Sequence, residues 1–368
     1  VMRFTIDRDS LKTALSRAIK GVDMSSTLPI LSGILITATE GSLRLENTNM
    51  EVSLRQRVIA NVEEPGQVVV PGKLLSDIVG HLPDMAILFA TDGTRLNVTC
   101  GKSFYSLNTM AAQDFPAFPD YEIDSMVELP SSVLNEMVNK VGVAASTDRN
   151  RAILTGILVD VTADNVRFVT TDSVRLAVAD AKVVSEVENF QVIAPARSLR
   201  SVLSLASDQK TITVGTNQSQ LIFLFGDVVY VTRRIEGNYP NYRKLIPSTH
   251  VSGVRMRMND LYEAMQRIKA MTVNNSEVTL SVSAEQNLLV ITTNIPDQGN
   301  AREEIPVDVD GDDITISFNS RFIYDFVQKA DDDVMLTFEA ESPIRPGIFR
   351  TRGDVDFLYL VMPVRPNY

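Results

Sequence analysis

Apolar residues along this chain follow two alternating rhythms: every second position over five to seven residues, then every third and fourth over about ten. The first rhythm predicts half-buried strands and the second amphipathic helices. Met2-Arg3-Phe4-Thr5-Ile6 reads as a strand, and Asp9 or Ser10 as the cap of a helix with Leu11, Leu15, Ala18 and Ile19 on one face. Gly21 ends that helix, and strands at 33–36 and 43–45 flank a Glu40-Gly41 turn. A second round opens with Val68-Val69-Val70 and enters a helix at Lys73, with Leu74, Ile78 and Leu82 on one side. Strands at 86–90, 95–99 and 104–107 follow.

The same succession restarts near Val127 and again near Val254. Its later helices carry Leu134, Met137, Val138 and Val141; Leu199, Val202 and Leu205; Leu261, Ala264, Ile268 and Met271; and Phe322, Phe326 and Ala330. Landmarks recur at a fixed interval. Thr171-Asp172 follows Thr48-Asn49 by 123 positions and precedes Thr293-Asn294 by 122. Gly156-Ile157-Leu158 repeats Gly33-Ile34-Leu35 at 123, and Lys73, Arg197 and Arg321 stand 124 apart. A period this long means repeated domains, not a solenoid. The expected organisation is α+β, with two helices packed on antiparallel sheets in each of three tandem units: 1–122, 127–248 and 252–368.

At 368 residues and 44% hydrophobic, the chain is long enough for two or three cores. No apolar run nears a membrane span and the N-terminus shows no signal pattern. With Cys100 as the single cysteine, expected as a buried inert thiol, this suggests a cytoplasmic protein. A net charge of −11 by itself argues against a nucleic-acid partner. The distribution changes that conclusion. The six expected helices carry eleven Lys and Arg against five Asp and Glu, a net of +6 that leaves −17 for the rest. A cationic helical surface on an acidic body suits one anionic partner.

Catalytic signatures are missing. His81 and His250 have no ligand-spaced neighbours for zinc, and neither a G-x-S-x-G elbow nor a phosphate loop occurs. Asp331-Asp332-Asp333 and Asp310-Gly311-Asp312-Asp313 read as solvated turns, and Asp172 as a turn-former and not a general base. The sequence therefore points to a binding protein that is no enzyme and needs neither cofactor nor metal.

Thr27-Leu28-Pro29-Ile30-Leu31, Asp114-Phe115-Pro116, the segment from Thr171 to Ala177, Tyr239-Pro240-Asn241-Tyr242 and Val361-Met362-Pro363-Val364-Arg365 closely resemble the β sliding clamps of bacterial replicative DNA polymerase. The resemblance spans essentially the whole chain. It implies three copies of the DNA-clamp fold and a head-to-tail homodimeric ring on duplex DNA that keeps the polymerase processive. Helix dimensions agree with a dimer. Six helices about 9 Å apart leave a hole of only ~7 Å, whereas twelve leave ~24 Å. A duplex fits only the second.

On that resemblance Lys12, Arg17, Lys20, Lys73, Arg197, Arg200, Arg267, Lys269, Arg321 and Lys329, with Arg149 and Arg151 on a loop, would face DNA phosphates without reading sequence. One pocket per subunit would bind Gln/Leu/Phe-type linear motifs of polymerase subunits, the clamp loader and repair proteins. By position it would use Leu154, Thr171, Val174, Arg175, Leu176, Pro240, Lys244, Leu245, Asn319, Phe322, Ile344, Pro346, Val361, Met362, Pro363 and Val364. Ser173-Val174 replaces the family's common Gly-His, the usual third-domain pocket aromatic falls near Asn275, and Tyr368 would reach the pocket mouth. Tyr105, Leu107 and Met271 are candidates for the dimer seam or, equally, for internal packing. A peptide-binding scaffold that does not encircle DNA is the alternative function.

Overall fold

The computed structural model describes residues 1–23, 25–183, 188–272, 276–330 and 333–364. They form two compact units: residues 1–131 with 197–234, and residues 132–196 with 235–364.

In the first unit, α1 (Arg8–Gly21) and α2 (Gly72–His81) pack on two antiparallel sheets. One is five-stranded, with Ser103–Asn108 at an edge; the other has eight strands. Asp7, two or three residues earlier than the sequence suggests, caps α1: its Oδ2 accepts the Ser10 amide at 2.9 Å. Leu11, Ala14, Leu15 and Ala18 of α1 meet Leu75 and Val79 of α2, Ile34, Ile36 and Leu45 of the larger sheet, and Phe4, Phe89 and Val98 of the smaller. Each Leu, Ile, Val and Phe among them contributes about 1.5–3 kcal/mol through burial. The inward face of α2 differs from expectation: Leu75 and Val79 are buried and Leu74 is 47% exposed. The helix begins at Gly72, which turns the second of the two adjacent leucines toward the core.

The eight-stranded sheet crosses the expected boundary between the first and second repeats. Val228–Arg233, from the second, pairs with Val52–Ile59, from the first. α4 (Ala196–Leu205) contributes Leu199, Val202 and Leu205 to the core.

The second unit contains α3 (Ser131–Val141), α5 (Met258–Lys269) and α6 (Ser320–Val327) on sheets of nine and four strands. Leu134, Met137, Val138 and Val141 of α3 are buried, as the period predicts. So is Lys140, which pairs with Glu136 and donates to Val355 O at 3.2 Å. α6 ends at Val327, leaving Lys329 and Ala330 beyond it. Here too a sheet is shared, since Arg175–Lys182 pairs with Val355–Val361.

Gly33 and Gly156 open equivalent strands. A Cβ on Gly33 would lie 2.5 Å from Val69 Cγ1, and one on Gly156 would lie 2.5 Å from Ile193 Cγ2. The spacing of these glycines thus reflects one close approach used twice.

Candidate peptide site and anion-facing surface

Strand register brings several of the expected peptide residues to one end of the nine-stranded sheet. Arg175 lies opposite Val361, and Val361 opposite Gly347. One row inward, Leu176, Leu360 and Ile348 align. The turn before Arg175, the tail after Val361 and the loop before Gly347 therefore leave the sheet at the same end. They carry Val174, then Met362, Pro363 and Val364, then Ile344 and Pro346. Val174 O accepts the Met362 amide at 2.9 Å, and Ser317 O accepts the Val364 amide at 2.8 Å.

Below this rim Leu158, Val169, Leu176, Ile193, Tyr242, Ile348 and Leu360 form an apolar cluster, with Ile153, Ile235, Tyr239 and Ile246 packed against it. Val361 and Leu154 are buried as well. Val174, Leu245, Ile344 and Met362 stay 43%, 52%, 69% and 41% exposed. Pro240, Lys244 and Leu245 are exposed beside buried Tyr242. The nearby Asn319 caps α6, accepting the Arg321 amide at 3.0 Å.

A polar network fixes the turn. Thr171 Oγ1 donates to Arg175 O at 2.7 Å, and Asp172 Oδ1 accepts the amides of Val174 and Arg175, each at 3.0 Å. Asp172 is thus a turn-former, as its type suggests. Its Oδ2 accepts Arg175 Nε at 3.0 Å, while Arg175 Nη1 reaches Asp325 Oδ2 at 2.6 Å and Tyr359 Oη at 3.1 Å. Tyr359 in turn donates to Phe322 O at 3.1 Å, and the guanidinium lies 4.5 Å from the Phe322 ring centre. Burial opposes the Arg175 charge, yet Tyr359, Asp325 and Asp172 outweigh it and raise its pKa. Burial pushes the Tyr359 hydroxyl upward against the pull of Arg175. Arg175 is therefore a fixed cation clamped between carboxylates. Asp325 and Tyr359 were not among the sequence candidates.

The DNA-facing candidates lie on exposed helix faces or beside them, but several already have partners. In the first unit Lys12, Arg17 and Lys20 line a cleft of about 570 Å³ with Ser204, Ser207 and Asp208. Arg17 Nη2 is 2.7 Å from Asp208, and Arg197 is 3.5 Å from Asp23. Lys73 and Arg200 are exposed, and Arg200 has an interaction of its own. In the second unit Arg267 is held by Glu303 at 2.8 Å, and Lys269 Nζ lies 3.8 Å over the Tyr324 ring. Arg149, Arg321 and Lys329 are exposed. Lys140, a helical cation in the sequence tally, is 1% exposed and adds nothing to this surface. Arg151, in the 3-10 segment Arg149–Thr155, donates to Asp172 O at 3.2 Å and to Ser173 Oγ.

Of the seam candidates, Tyr105 is 40% exposed on its edge strand, whereas Leu107 is 6% exposed within the core. The two share one face of the strand, but only Leu107 reaches the core cluster, so it packs internally. Phe104, 63% exposed on the same edge strand, escaped sequence reasoning. Met271 is half-buried just past α5. Asn275, Asp331, Asp332 and Tyr368 lie outside the described residues. Cys100 is buried. Among the described residues no group of three or more His, Cys, Asp or Glu could hold a metal, and no helix is long and apolar enough to cross a membrane.

Helix pairs on antiparallel sheets, repeated in tandem and joined by sheets shared between repeats, define the DNA-clamp class. The chain belongs to the DNA polymerase III beta subunit family. Models of that family's N-terminal, central and C-terminal domains match residues 2–119, 128–241 and 243–365. The chain is 31% identical to the beta sliding clamp of Streptomyces coelicolor across 99% of each chain, and 28% identical to that of Staphylococcus aureus over 99% of this chain and 100% of the relative. Among solved structures, the Bacillus subtilis DNA polymerase sliding clamp superposes with TM-score 0.93 at 25% identity, covering 100% of both chains. The Pseudomonas aeruginosa clamp bound to griselimycin superposes at 0.90 and 27%, covering 99% of this chain and 100% of that one.

Proposed function

We propose that the protein acts as a β sliding clamp: two copies close head to tail around duplex DNA and tether the replicative polymerase, the clamp loader and repair proteins through short linear motifs. The observation that carries this reading is the ordered match of all three beta-subunit domains along residues 2–365. The working units are taken as 1–122, 127–248 and 252–368. They act without catalytic turnover, in the cytoplasm, where a bacterial chromosome is replicated.

The twelve cations named above are the proposed phosphate contacts. Carboxylates already hold Arg17 and Arg267, so these contacts are weak, which suits a tether that must slide. The apolar rim of Val174, Leu245, Ile344 and Met362 around a buried floor supports a peptide site, with Arg175 as its rigid wall. Tyr105 and Met271 remain the proposed seam residues, now joined by Phe104.

Loading onto nicked circular plasmid, followed by gel filtration before and after linearisation, tests the ring. The expected result is retention on circles and release after cutting. Equal retention on both, or a monomer at micromolar concentration that leaves polymerase processivity unchanged, contradicts it.

A further inference from the structure

Arg151 differs in what holds it from the arginines of the proposed phosphate surface that carboxylates hold. Arg17, Arg197 and Arg267 each face a carboxylate. Arg151 holds two neutral acceptors, the Asp172 carbonyl and the Ser173 hydroxyl, and among the described residues no carboxylate lies within salt-bridge distance of it. The Asp172 carboxylate is spent on Arg175 and on two turn amides.

The segment it holds is the rim of the peptide site. Ser173 has φ +81°, a left-handed conformation disfavoured for a residue with a Cβ. Its amide is held by Thr171 Oγ1 at 3.1 Å and its hydroxyl by Arg151. The next residue is Val174, whose side chain is exposed on the rim and whose carbonyl anchors Met362. A phosphate offers a guanidinium charge-assisted, bidentate hydrogen bonds, stronger than those from a carbonyl and a hydroxyl.

We propose that Arg151 is a positioning residue coupling the two sites: it braces the Thr171–Arg175 turn when unliganded, and a DNA phosphate that captures it frees the turn and weakens peptide binding. The coupling is reciprocal, so a bound peptide loosens the phosphate contact at Arg151. A partner docking on the ring then favours its movement along DNA. The inference rests on the clamp reading and on the peptide site proposed with it.

The test is fluorescence anisotropy of a labelled peptide with Gln, Leu and Phe anchors, titrated with full-length protein at low salt, with and without a saturating short blunt duplex. For the wild type, duplex is expected to weaken peptide binding about three- to tenfold. Arg151→Ala is expected to bind peptide about three- to tenfold more weakly and to be indifferent to duplex. Ser173→Ala, which keeps the guanidinium, should reduce the duplex effect while melting like the wild type. A duplex effect that persists in Arg151→Ala, or wild-type peptide affinity in that variant, overturns the coupling. A wild type that ignores duplex but binds peptide overturns the coupling while leaving the clamp reading intact. A wild type that binds no peptide overturns the peptide site and the coupling together.

Discussion

The turns at Thr48–Val52 and Thr171–Arg175 are built to one plan. In both, a threonine hydroxyl donates to the carbonyl four residues on, at 2.9 and 2.7 Å. In both, the next side chain accepts two backbone amides: Asn49 those of Glu51 and Val52, Asp172 those of Val174 and Arg175. Met50 and Ser173 take the same left-handed conformation, with φ +75° and +81°. The difference lies in charge. Asn49 is neutral and its turn ends in Val52, so its hydrogen bonds stay local. Asp172 keeps a second oxygen for Arg175, which carries the turn's reach to Asp325 on α6 and to Tyr359. The third counterpart forms no such turn: Thr293 sits within Leu288–Ile295 and donates to Glu277 O at 2.7 Å. One turn plan thus serves as plain scaffold in the first repeat and as a wall of the proposed recruitment site in the second.

The comparison breaks most severely at Arg175. Arg175→Ala strands two carboxylates and a hydroxyl, which costs about 3 kcal/mol of stability. That should lower the first thermal transition by several degrees and abolish peptide binding; calorimetry and anisotropy check both. Asp172→Asn makes the middle turn chemically like the first. Its amide contacts survive while the charged bond to Arg175 is lost, a cost of about 1–2 kcal/mol by denaturant titration. Asn49→Asp is the converse change and should stay within ±0.5 kcal/mol, because Val52 offers the new charge no partner. A large effect of Asn49→Asp, or none of Asp172→Asn, would show that charge is not what separates the turns.

Much of this was legible in the sequence. The period of 3.6 gave the inward faces of α1, α3 and α4, and the Thr-Asp chemistry gave the turn. Ambiguity arose where apolar residues adjoin. Leu74-Leu75 offers two faces, and only the helix start at Gly72 selects Leu75. Alternation along Ser103–Asn108 could not say where the core ends, so Tyr105 and Leu107 looked alike although one is open and the other enclosed. Asp325 was invisible as a site residue because its partner lies 150 positions away in the chain. Lys140 looked like any surface lysine until its partners, Glu136 and the Val355 carbonyl, enclosed it. Composition reveals helix faces and turns, but not which distant strands meet at one sheet end.

In the proposed function, ring-building falls to what the repeats share and partner recruitment to what the middle repeat changed. Val174→Asp separates the two most directly, because the Val174 side chain is exposed on the rim and makes no hydrogen bond in the Arg175 network. The measurement pairs retention on nicked circular DNA with anisotropy of the labelled peptide, on the same protein sample. The expected result is a dimer that stays on circles while its peptide affinity falls at least about thirtyfold, roughly the 2 kcal/mol expected of a central anchor. A variant that binds peptide as tightly as the wild type would contradict it.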